Sequence, residues 1–288
     1  MLPTLFSFLY QFGDAFAFLV IASMGLAIIF GMMGVINLAH GEFIMCGAYT
    51  TVSLAQLGLP LPLAIAGGAL VAGLIGMLIE VTIIRHLYNR PLDSIVATWG
   101  ISMIATQGVL IVLGSTMQGV GTPLGSFTVG GFSYSTYRLV LMGIAVLLLA
   151  GLYLLFYHTR AGVIARATIQ LPRMARAMGV DTGRVYTLTF GLGAALAGLA
   201  GGLYAPTMTL VPTMGATFMV ESFVTVVIGG GDIFLGAAPA AAILAVIRSG
   251  MTAWQGQLFG QIGLLITVII VIRVLPGGLS GWSLGGRK

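Results

Sequence analysis

An all-α, polytopic membrane protein is the fold class that this sequence predicts, and three observations predict it. Of the 288 residues, 58% are apolar and only 7% charged, whereas soluble domains carry roughly a quarter charged residues. Six apolar runs reach the ~20 residues that span a hydrocarbon core of ~30 Å. Forty-three glycines agree, because glycine is commoner in membrane-spanning helices than in soluble ones. A soluble fold would have to expose far more apolar surface than the few hundred Å², roughly, that monomers tolerate.

The elements follow in chain order. The first run, 14–36, is not preceded by a basic segment or followed by a small-residue cleavage site, so it is expected to be retained as a span. Further runs lie at 61–84, 94–114, 138–158, 185–205 and 257–275. Two other regions, 42–58 and 218–250, are apolar but interrupted by glycine, proline or an acid. The second reads as a short helix to Gly229, a turn at Gly229-Gly230-Gly231-Asp232, and a helix through Leu244. The expectation is eight or nine spans, some of them interrupted, in one membrane domain over residues 1–288.

Lys and Arg near span ends mark the cytoplasmic side. Arg85 and Arg90 mark the loop 85–93, Arg160, Arg166, Arg173, Arg176 and Arg184 the stretch 159–184, and Arg273, Arg287 and Lys288 the tail. The C-terminus is therefore expected in the cytoplasm. The stretch 115–137 has no charged residue and alternates apolar with small polar residues around Phe127, Val129, Phe132 and Tyr134. It reads as an outer loop with a short hairpin. Parity then needs three crossings in 218–275, which places Arg248 near an outer end, where a lone arginine can snorkel. The net charge of +5 is thus a topology signal and does not imply nucleic acid. Cys46 is the single cysteine, so no intramolecular disulfide, disulfide framework or four-ligand zinc site is expected.

The basic stretch 159–184 reads as a short amphipathic helix, with Met174, Ala177 and Met178 on one side and Arg173 and Arg176 on the other, ended by Gly179. Two roles suit it: an interfacial helix drawn to anionic lipid, or a docking helix for a soluble partner.

Three motifs carry a family resemblance: GVINLAHGEFIMCGAYTT at 34–51, ARAMGVD followed by RVYTLTFGLGAALAGLAG at 184–201, and FVTVVIGGGDIFLGA at 223–237. In this order the chain resembles the permease subunit of a branched-chain amino-acid (Liv-type) or urea/short-amide (Urt-type) ABC importer. The resemblance implies a bacterial inner-membrane location, a heterodimer with a second related permease subunit, two cytoplasmic ATPase subunits and an extracytoplasmic solute-binding protein. It further implies that the helix around 172–180 is the coupling helix, with Arg166, Arg173, Met174, Arg176, Met178 and Gly179 as coupling candidates. A phosphate-binding Walker A loop needs a lysine, and Lys288 is the only one. No cofactor is expected in this chain; ATP and Mg belong to the partner ATPases.

Polar groups inside a bilayer are costly and usually face a bundle interior or a cavity. Asn37, His40 and Glu42 cluster around Gly41, the pattern of a helix break near a translocation path. They either satisfy the broken backbone and cap the next helix, with Glu42 at the favourable end of its dipole, or contact the solute. Glu221, Ser222 and Asp232 lie in the second interrupted region and complete the substrate-path candidates. Glu80, close to Arg85, reads as a membrane-interface charge, and the series Gly193, Ala197, Gly198, Gly201 and Gly202 as a close-packing face. The competing readings are a stand-alone channel or secondary carrier, since Glu42, Glu221 and Asp232 could serve a carboxylate cycle, and an intramembrane hydrolase. The hydrolase lacks an HExxH pair or a GxSxG elbow.

Overall fold

In a computed structural model of the chain, residues 2–88, 90–230, 233–275 and 277–280 are described. The order is α1 (Leu2–Met33), α2 (His40–Gln56), α3 (Leu61–Thr82), a 3₁₀ turn (Ile84–Leu87) and α4 (Pro91–Leu113). Strands β1 (Ser126–Val129) and β2 (Phe132–Ser135) follow, then α5 (Thr136–His158), α6 (Arg160–Gln170), α7 (Pro172–Ala177) and α8 (Thr182–Tyr204). The chain finishes with α9 (Met214–Gly229), a π-helical turn (Ile233–Ala237), α10 (Ala238–Gln255) and α11 (Gln257–Val274). Among the described residues six helices are long and apolar enough to cross a membrane, with Met214–Gly229 as a shorter apolar one. The 17-residue α2 and the 18-residue α10 lie within the two regions read as interrupted.

Two compact units are present. One comprises residues 24–121 and 150–220. Its centre is α2 packed against α3 and α8, and small residues allow the approach. A Cβ on Gly47 would run into the Gly198 backbone, and one on Gly201 into the Ile44 carbonyl. In lipid, where helices gain nothing by hiding apolar surface from water, this backbone-to-backbone contact supplies the packing energy. The glycine series read from α8 is therefore its packing face. By contrast, α4 leaves Val96, Ile104, Ile111 and Val112 well exposed, a surface suited to hydrocarbon and not to water.

The other unit comprises residues 1–23, 122–149 and 221–288. It holds the expected hairpin: Val129 pairs with Phe132 across Gly130 and Gly131, whose φ of 60° and 85° are what a two-residue primed turn demands. Tyr134 closes an aromatic cluster with Phe6 and Tyr10 at ring distances of 5.2 and 4.8 Å.

The basic loop is not one helix. Pro172, which cannot continue α6, starts α7 at its first position. At its far end the Val180 N–H bonds the Ala175 carbonyl and the Gly179 N–H bonds that of Arg176, with Gly179 at φ 84°. This is a Schellman stop, after which Asp181 caps α8 by accepting from Arg184 N–H at 3.1 Å.

Candidate functional site

The first motif folds as a broken helix. α1 stops at Met33, and the chain runs irregularly through 34–39 before His40 opens α2. The break satisfies itself in part: Asn37 Oδ1 accepts from Ala39 N–H at 3.1 Å, and Thr98 Oγ1 of α4 accepts from Leu38 N–H at 3.1 Å. Asn37 Nδ2 is buried without a partner among the described residues. His40 is fully buried with its ring beside Gly25 of α1. Glu42, in the first turn of α2, accepts from Ser102 Oγ of α4 at 2.8 Å, and its carboxylate lies against Gly215.

These contacts expose a feature that the residue-by-residue reading missed. Ser94, Thr98, Ser102 and Thr106 recur every four residues, so they form one hydroxyl stripe along α4. Three of the four bond the first motif: Thr98 through Leu38 N–H, and Ser102 and Thr106 through the Glu42 carboxylate. Period-four hydroxyls in an apolar helix are the signal that could have found them. Beside Glu42 lies a cavity of about 490 Å³ between α2, α3 and α4, walled by Phe43, Ile75, Ile79, Ile101 and Val109. Tyr49 borders it and its buried Oη has no partner among the described residues.

Glu221 and Ser222 belong to the other unit. Glu221 Oε2 accepts from Arg248 Nη1 of α10 at 2.7 Å, and the Arg248 guanidinium lies 5.5 Å from the Phe18 ring centre. Arg248 is therefore not a lone snorkelling arginine. Its charge is bound inside the unit by a carboxylate 27 residues away, a partnership no local pattern announces. A second pair, Arg138 with Asp14, joins α5 to α1 in the same unit. Asp232 lies outside the described residues.

Glu80 also departs from expectation. It is fully buried, not an interface charge. Tyr88 Oη and Thr187 Oγ1 (2.6 Å) both donate to it, with Arg85 Nη2 at 3.4 Å. Burial and this hydrogen bond raise the Tyr88 phenol above its ordinary pKa.

Of the coupling candidates, Arg173, Met174, Arg176, Met178 and Gly179 are exposed on and just after α7, whereas Ala175 is its buried contact. Met174 and Met178 are 61% and 82% exposed and stand four residues apart. The inward side of α7 is thus Ala175, and the methionine ridge faces outward. Arg166 turns back over the Tyr157 ring at 4.7 Å.

Among the described residues no group of three or more His, Cys, Asp or Glu could hold a metal ion. A helical bundle with interrupted spans, polar groups at the interruptions and one exposed basic loop defines an integral membrane permease. The chain matches the family described as the permease component of branched-chain amino acid transport systems over residues 8–275. It belongs to that family. It is 30% identical to a probable branched-chain amino acid transport permease protein LivH of Methanocaldococcus jannaschii, covering 91% of this chain and 88% of that one. The high-affinity permease proteins LivH of Escherichia coli (27% identical, 90% of each chain) and BraD of Pseudomonas aeruginosa (28%, 97% of this chain and 98% of that one) are similar along their length. No solved structure matches the chain.

Proposed function

We propose that the chain is the membrane-spanning subunit of a binding-protein-dependent ABC importer in the bacterial inner membrane, carrying a branched-chain amino acid by alternating access. Its C-terminus lies in the cytoplasm with the loops of Arg85 and Arg176. The partners are a second related permease subunit, two ATPases that bind ATP and Mg, an extracytoplasmic solute-binding protein, and the surrounding lipid. Asn37, His40, Glu42, Glu221 and Ser222 border the solute path.

One observation carries the coupling role. Outside the spans, α7 turns Met174 outward between Arg173 and Arg176, and Met178 follows, exposed, at its C-cap. Two adjacent exposed methionines on a short, firmly stopped helix suit insertion into a partner's groove, because methionine adapts to irregular apolar surfaces. The amino-acid solute, in preference to urea or a short amide, is supported by the names of the relatives and by the charge pairs in the spans.

Changing Arg173 and Arg176 together to Glu should abolish ATP-driven uptake while the protein still inserts. Co-purification of the intact ATPase complex with normal uptake by that variant would refute the docking role. A thermal-shift screen of the binding protein should respond to leucine, isoleucine or valine; a response only to urea or amides would overturn the solute. Uptake persisting without ATP would favour a secondary carrier.

A further inference from the structure

Within residues 1–23, 122–149 and 221–288, oppositely charged side chains from different helices meet. Glu221 of α9 pairs with Arg248 of α10, and Asp14 of α1 pairs with Arg138 of α5. The two pairs form one set, because both meet α1: Asp14 belongs to it, and the Arg248 guanidinium lies 5.5 Å from the ring centre of Phe18, one turn further on. Their exposure is graded: the side chains of Glu221 and Arg248 are 10% and 20% exposed, those of Asp14 and Arg138 22% and 44%. Next in the chain to Glu221 and Arg248 stand Ser222 and Ser249, both buried, whose hydroxyls have no hydrogen-bond partner among the described residues.

A span that needed only packing would gain by replacing a buried ion pair with apolar side chains of similar volume. Charges in a bilayer core are retained where they act on something. The composition of this set says what. It is neutral, with two carboxylates and two guanidiniums, and it has two unused hydroxyls beside its inner pair. A zwitterion is the ligand such a set can take without ever leaving a bare charge: when its carboxylate meets a guanidinium and its ammonium meets the carboxylate so released, each fixed charge trades one counter-ion for another. Urea and amides carry no charges and cannot make that exchange. The cavity beside Glu42 cannot make it either, since its lining has one carboxylate and no cation.

We infer that Glu221 and Arg248 form the station that receives the charged ends of the amino acid, Arg248 binding its α-carboxylate and Glu221 its α-ammonium. Ser222 and Ser249 supply further hydrogen bonds, and the more exposed Asp14–Arg138 pair stands at the approach. The inference rests on the amino-acid importer reading, and it adds Arg248, Asp14, Arg138 and Ser249 to the residues that act on the solute.

The test uses the complete complex in proteoliposomes, with leucine uptake and complex assembly measured in parallel. Glu221→Gln should lower the maximal uptake rate about 10- to 100-fold, as loss of a hydrogen bond to a charged group implies. The apparent KM, set by the binding protein, and assembly should not change. Exchanging the pair, Glu221→Arg with Arg248→Glu, keeps an ion pair and should restore assembly but not uptake; uptake returning to the wild-type rate would show the pair to be structural and overturn the proposal. If the exchanged pair does not assemble, Glu221→Gln with Arg248→Gln serves, and normal uptake by it overturns the proposal likewise. In the wild-type complex without binding protein, leucine should raise the melting temperature and N-acetyl-leucine or leucinamide, each lacking one charge, should not. Equal shifts from all three, or none from any, count against the station. Failure of the wild-type complex to import leucine would instead overturn the importer reading.

Discussion

Replacing Glu80 by alanine tests whether a buried carboxylate fastens the arginine-bearing ends of α3 and α8 together. The consequences can be worked through donor by donor. Tyr88 Oη has Glu80 as its acceptor, and half-buried it would lose that acceptor at about 1–3 kcal/mol. Thr187 Oγ1 keeps the Gly183 carbonyl at 3.0 Å, so it loses only the second bond, about 1 kcal/mol. Arg85 is 43% exposed, sits at 3.4 Å, and retains Thr187 Oγ1 at 2.9 Å; solvent screening leaves its ion pair worth about 0–1 kcal/mol. The sum is about 2–5 kcal/mol, which lowers Tm by about 3–8 °C for a chain of this size, at roughly 1.7 °C per kcal/mol. Scanning fluorimetry of the purified protein in detergent measures it. Glu80→Gln, which keeps one acceptor oxygen, should cost half as much or less. A Tm for Glu80→Ala within about 1 °C of wild type would refute the claim that this carboxylate joins α3 to α8.

Two further outcomes follow from the same structure. Because the folded Tyr88 phenol titrates above its ordinary range, the unfolded chain releases this proton first as pH rises past ~10. Stability contributed by Tyr88 is therefore full below that pH and lost above it; Tyr88→Phe should flatten the alkaline decline of Tm, and an unchanged alkaline slope would contradict the assignment. Gly47→Val drives a side chain into the Gly198 backbone and should destabilise by about 1–3 kcal/mol or prevent assembly. Gly100→Ala, where no atom lies within 4 Å of an added Cβ, should be silent in the same assay.

Much of this architecture was legible in the linear chain because its signals are local. An apolar run of ~20 residues is a span whatever surrounds it, and Gly130-Gly131 between alternating strands is a hairpin turn by backbone geometry alone. The candidate site was legible only in part. Asn37, His40 and Glu42 announced a helix break, but their α4 partners lie about 60 residues away, as Arg138 lies 124 from Asp14. The split of the basic loop was within reach of local rules: Pro172 marks a helix start, and the periodicity was read only after it, which left α6 unassigned.

The sequence by itself determined that this is a polytopic membrane protein, since composition and span length are properties of the chain that no folding can change. Tertiary structure alone decided what each ionisable group does. In the chain Glu80 reads as an interface charge near Arg85, and Glu221 and Arg248 as lone charges in apolar surroundings. Folding made one a buried acceptor of three donors and the other two an ion pair. The reason is that a charge in a medium of low dielectric takes its character from its nearest counter-charges and hydrogen-bond partners, and those are set by contacts between helices far apart in sequence.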